Sequence, residues 1–139
     1  MASIRREAFI EACPENAWSA LRDVGALHTR LVPGFVVDTK LEEGARVVTF
    51  GNGMVARELI VDVDDDARRV AWSVVGGRMT HHNASAQVFP EGQGGCRFVW
   101  IADLLPHELA PVITTMIEQG MAVIKKTLEQ AEREQAKVA

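Results

Sequence analysis

The stretch PHELAPVITTMIEQGMAVIKKTL, residues 106–128, decides the fold, because its apolar residues recur at helical spacing. Leu109, Val112, Ile113, Met116, Ile117, Gly120, Met121, Ile124 and Leu128 mark one broad apolar stripe. Pro106 and Pro111 cannot both sit deep inside one helix, since proline lacks the N–H that the helix ladder needs. The helix therefore starts between them, and the first proline caps a separate turn. One helix is expected over 111–128, with the charged tail 129–137 fraying beyond it.

Upstream of this stretch the period changes to two. Segments 35–41, 45–50, 54–63, 69–75, 80–89 and 96–104 read as strands. Turn chemistry separates them: Glu43-Gly44, Gly51-Asn52-Gly53, Asp64-Asp65-Asp66, Gly76-Gly77 and the run from Pro90 to Gly95. Connections this short favour antiparallel hairpins over crossovers, so the six strands form a meander. At the front, 3–12 alternates loosely and reads as a further strand. Pro14-Glu15-Asn16 then opens a short helix that carries Trp18, Leu21 and Val24 and ends at Gly25. A second short helix over 26–31 stops at Pro33-Gly34. Strand, two short helices, six strands and one long amphipathic helix make an α+β class. A sheet of six to seven strands covered by one helix must curl round it, and a curled sheet leaves a groove.

Composition narrows the function classes. The chain has 139 residues, the size of one domain, expected to span 1–139. Its net charge of −4 and scattered arginines argue against nucleic acid as a partner, because phosphate binding needs a basic face. Cys13 and Cys96 stand alone, in no metal-ligand spacing, which fits a reduced, cytoplasmic protein with no metal. Arg5-Arg6 is followed by Glu7 and not by an apolar run, so no signal peptide is expected. No apolar stretch approaches the ~20 residues of a membrane span.

Four local patterns, in this order and spacing, carry a family resemblance. They are Cys13-Pro14-Glu15-Asn16-Ala17-Trp18, Arg57-Glu58-Leu59, the run from Asp64 to Trp72, and the run from Pro90 to Trp100. Together they resemble the SRPBCC superfamily, which includes START domains, Bet v 1-like allergens, abscisic-acid receptors, coenzyme Q-binding proteins and polyketide cyclases. The resemblance covers almost the whole chain. It implies the helix-grip fold, a curved antiparallel sheet wrapped round a long C-terminal helix, with a hydrophobic cavity between them. It implies no single function, since carriers, receptors and enzymes share the fold. It also places the 51–53 loop and Gly76-Gly77 where the abscisic-acid receptors carry gates over the cavity mouth. This chain departs from the pattern at His82, where an aromatic is common, and it contains no tyrosine.

Candidate ligand-binding residues follow. His81 and His82 point to opposite faces of a strand and cannot share a metal. His82 goes with Ala84, Ala86 and Val88, which looks inward; it is a core histidine, a polar contact in the pocket, or a catalytic base. Arg57 and Glu58 also point oppositely. Periodicity groups Arg57 with Leu59, Val61 and Val63 and so turns it inward, whereas the resemblance turns Glu58 inward. One of them is the polar anchor, or the two form an exposed ion pair. Trp72, Phe98 and Trp100 on the sheet, with Met116, Met121 and Ile124 on the helix, serve as core or as cavity wall. Gly120 falls on the apolar stripe, where glycine costs ~1 kcal/mol against alanine. Either the helix packs closely there, or space is left for a ligand.

No nucleophile triad, phosphate loop or paired-carboxylate motif stands out, and no cofactor is implied. The sequence therefore points first to binding or carrying a hydrophobic small molecule, such as a lipid, a quinone or a polyketide-like compound. A polyketide cyclase/dehydratase-type enzyme and a partner-binding module that presents a ligand are the alternatives.

Overall fold

The computed structural model describes residues 2–138. Seven strands form one antiparallel sheet: β1 Ala2–Ile10, β2 Val36–Glu42, β3 Ala45–Phe50, β4 Val55–Asp64, β5 Arg69–Val75, β6 His81–Glu91 and β7 Gly95–Leu105. Their order is β1-β7-β6-β5-β4-β3-β2. Strands β2 to β7 thus run as an uninterrupted meander, and β1 closes the far edge against β7 from Ala2↔Leu104 to Ile10↔Cys96. Helix α1, Pro14–Arg22, and a single π-helical turn, Leu27–Leu31, carry the chain from one edge of the sheet to the other. The second short helix expected over 26–31 takes this wider winding.

The long helix α2 spans Ala110–Val138 in the concavity of the sheet, and Pro106 leads into a separate 3-10 turn at His107–Leu109. Ile113, Ile117, Met121, Ile124 and Leu128 are buried along one face, whereas Val112, counted in the stripe, is 56% exposed. The tail does not fray as expected. Glu132 accepts hydrogen bonds from the Cys13 amide and the Asn16 side chain, both at 3.0 Å. Glu129 accepts one from the Glu11 amide at 2.9 Å, and Gln135 one from Asn16 at 2.7 Å. The charged face of the tail thus binds the exposed backbone between β1 and α1, which the apolar pattern could not reveal.

Two details of the sheet position the cavity. Gly51 in the β3–β4 turn donates its N–H to the Phe35 carbonyl at 2.9 Å, and a Cβ there would lie 2.5 Å from the Gly34 carbonyl oxygen. Only glycine permits that approach, which brings Phe35 and Phe50 into edge-to-face contact at 5.6 Å. In β4 the register shifts between Ile60 and Asp62, a β-bulge that turns Val61 out to 63% exposure. Before the bulge the even-numbered residues face the helix; after it, Val63 does, opposite the buried Val70.

Candidate ligand cavity

Between α2 and the concave face lies a cavity of about 130 Å³. Its floor is Phe98 and Ile124, both buried. Trp72 on β5 and Trp100 on β7 form a wall, with ring centroids 6.2 Å apart and planes tilted by 56°. They meet across β6 because Trp72 pairs with Ala84 and Trp100 with Ala86, two side chains too small to separate the rings. Ile113, Met116 and Ile117 of α2 close the helix side. At the mouth stand Phe35, Phe50, Met54 and Met79; Met54 is 54% exposed, so the cavity reaches the surface there. Met54 follows Gly53 and Met79 lies two residues after Gly77, beside the two loops singled out in the sequence.

Among the described residues, the ionisable side chains lining the cavity are Arg46, Glu58 and His82. Arg46 Nε donates to Glu58 Oε1 at 2.8 Å, with the two side chains only 5% and 8% exposed. Arg46 Nη1 also donates to the Val24 carbonyl at 3.2 Å, and the guanidinium carbon lies 5.5 Å from the centroid of Trp72. The cation is therefore matched by a carboxylate, a carbonyl and an aromatic face. His82 differs: its Nδ1 is buried without a hydrogen-bond partner. Burial, with a smaller push from His81, lowers its pKa below the ordinary histidine value and favours the neutral imidazole.

These three residues lie in one row across the sheet. Arg46 pairs with Glu58, Glu58 with Val74, and His82 with Leu104. Since Ser73 pairs with Asn83, Val74 and His82 are next in line. Glu58 and His82 thus sit two strand spacings apart, roughly 10 Å.

The cavity brings together Glu58, Trp72, His82, Phe98, Trp100, Met116 and Ile124 of the expected residues. Arg57 is a correction to the periodicity reading. It is exposed and pairs with Glu42 at 3.1 Å: Arg57 and Val61 turn away from the helix together, and Val63, of the same parity, faces it only because it lies beyond the bulge. Met121 is buried in the core, outside the cavity lining. Gly120 does not leave a gap for a ligand: a Cβ there would lie 2.9 Å from Trp100 Cζ3 and 3.3 Å from Phe35. Its missing side chain makes room for two rings of the wall. Arg46 escaped the sequence reading, although a hairpin centred on Asn52 sets it opposite Glu58.

Comparison with known proteins places this architecture. The pattern of the family described as polyketide cyclase / dehydrase and lipid transport matches residues 1–130. The chain belongs to that family. Its seven-stranded antiparallel sheet and long C-terminal helix match the START/Bet v 1-like helix-grip fold. Norcoclaurine synthase from Thalictrum flavum, a point mutant in complex with a transition-state analogue, is similar at 23% identity, covering 93% of this chain and 94% of that one, with a TM-score of 0.73. One half of the di-domain aromatase/cyclase BexL from the BE-7585A biosynthetic pathway is similar at 14% identity, over 93% of this chain and 47% of that one, TM-score 0.80. A START superfamily protein from Mycobacterium smegmatis is similar at 11% identity, over 96% and 99%, TM-score 0.71. At these identities the likeness is one of fold. No curated protein matches the chain in sequence. No helix among the described residues is long and apolar enough to cross a membrane.

Proposed function

We propose that this protein binds a hydrophobic small molecule in the cavity between α2 and the sheet, and carries it. The observation that supports this reading is an apolar cavity, lined by Trp72, Trp100 and Phe98, with three ionisable groups on its lining among the described residues. Such a site removes apolar ligand surface from water, and its few polar groups orient what is bound. The family description, which names lipid transport beside cyclase chemistry, points the same way.

Native mass spectrometry of the protein purified from its own cells tests the reading. A stoichiometric apolar adduct, lost on Phe98→Trp, which fills the floor, is expected. Protein that is always bare, and that also fails to take up small apolar compounds in vitro, refutes it.

A cyclase/dehydratase-type reaction is the second reading. His82, with an unpartnered buried nitrogen, and Glu58 in the same row are the proton-handling groups it would use. Turnover of a poly-β-keto substrate, lost in His82→Leu with ligand still bound, would favour it.

A further inference from the structure

We propose that the cavity selects an electrically neutral ring compound bearing a hydroxyl group, its oxygen at His82, and rejects carboxylates such as fatty acids. This rests on the binding reading above and adds the chemistry of the ligand.

Charge is the first argument. Arg46 is the cation on the wall, and Glu58 already neutralises it at 2.8 Å. A carboxylate entering the cavity would meet Glu58 as well as Arg46, whose guanidinium also serves the Val24 carbonyl and the face of Trp72. To pair with Arg46 it would have to displace Glu58 and leave that carboxylate buried and alone, which is costly. An ammonium group would meet the mirror-image problem at Arg46. A wall with opposite charges this closely matched accepts neither sign.

The unpartnered Nδ1 of His82 is the second. It is a polar atom removed from water with nothing to bond. A neutral imidazole presents one donor and one acceptor nitrogen, and its tautomer decides which Nδ1 is. A hydroxyl both donates and accepts, so it suits Nδ1 in either tautomer once the ring, which lines the cavity, turns to present that nitrogen.

Shape is the third. The space is about 130 Å³. An engineered cavity of roughly 150 Å³ lined by Leu, Ile and Phe binds benzene. One ring therefore enters without rearrangement, flanked by Trp72 and Trp100. A second ring requires only that Met54 and Met79 at the mouth yield, which unbranched methionines do readily. A long acyl chain does not fit this volume.

Equilibrium dialysis at pH 7 against 2-naphthol, 2-naphthoate and naphthalene, each read by its own fluorescence, tests the proposal. For the natural chain, 2-naphthol should bind at least about tenfold tighter than 2-naphthoate and about fivefold tighter than naphthalene, the advantage of one satisfied hydrogen bond. In His82→Leu the gap between 2-naphthol and naphthalene should close to within about twofold. In Glu58→Gln, which leaves Arg46 without its counter-charge, 2-naphthoate should gain on 2-naphthol. Natural protein that binds 2-naphthoate as tightly as 2-naphthol overturns the proposal while leaving the cavity reading intact, and so does a 2-naphthol advantage that survives His82→Leu. If none of the three compounds binds the natural chain, the binding reading itself falls, and this proposal with it.

Discussion

Replacing Glu58 with leucine while Arg46 stays should be among the most damaging single changes in this chain. The guanidinium would keep the Val24 carbonyl at 3.2 Å and the face of Trp72 at 5.5 Å, but lose its carboxylate partner. With the Arg46 side chain 5% exposed, water replaces that carboxylate poorly. Breaking a buried pair in this way costs about 3–5 kcal/mol. The two surviving contacts hold the figure near the lower end, about 3 kcal/mol, against a typical domain stability of about 5–15 kcal/mol. Arg46→Met should cost a similar amount by stranding Glu58. The double variant Arg46→Met/Glu58→Leu buries no charge, and apolar replacement of a whole pair is often neutral or stabilising by about 1–4 kcal/mol. It should therefore be more stable than either single variant. Urea denaturation of all four proteins at pH 7, followed by circular dichroism, measures the cycle. Single losses below about 1 kcal/mol that simply add in the double variant would refute the reasoning, since they would mean that the pair is solvated and uncoupled.

Gly120→Ala should push the Trp100 ring toward the cavity, because the new Cβ starts 2.9 Å from Cζ3; weaker binding of 2-naphthol with little change in melting temperature is expected, and unaltered affinity would count against it. Burial lowers the pKa of His82 in the folded chain, so the unfolded chain takes up its proton first. The His82 contribution to stability is then full above about pH 6.5 and is lost as the pH falls through the folded-state value. His82→Gln should flatten that acid limb of the stability profile, and an unchanged slope would contradict it. Burial pushes the Cys96 thiol up to about 11, so it carries almost no thiolate at neutral pH. Iodoacetamide should label Cys96 only after unfolding, and rapid labelling of Cys96 itself in native protein, told apart from Cys13 by peptide mapping, would show the site to be open.

The architecture was legible because its strand and helix periods stand clear of one another along the chain. Helical spacing from Leu109 to Leu128 and alternation between glycine-rich turns together require a meander laid against one helix. The short elements were less so. Residues 27–31 look like any brief helix, and nothing in their spacing announces a π-helical winding. The tail misled because its stability comes from Glu129, Glu132 and Gln135 bonding to Glu11, Cys13 and Asn16, more than a hundred positions away. Nothing local to a charged run announces a distant backbone partner.

The polar anchor was hidden for a related reason. Along β4, the apolar residues Leu59, Val61 and Val63 share one parity with Arg57, and a single-strand reading turns that set inward. The extra residue at the bulge breaks the strand into two halves of opposite facing, so Glu58 and Ile60 look inward ahead of it and Val63 beyond it. A strand cannot declare its own bulge, since one inserted residue leaves local hydrophobicity unchanged. The neighbouring strand can. A hairpin centred on Asn52 places Arg46 opposite Glu58, and two opposite charges facing each other on a sheet are complementary on either face. They stabilise a buried face only as a pair, whereas Arg57 turned inward would meet Val47 on β3 and Val75 on β5 and find no counter-charge. Pairing therefore decides the facing of β4 where periodicity cannot. The same logic singles out His82, whose Nδ1 is buried without a hydrogen-bond partner and whose strand neighbour Leu104 offers it none.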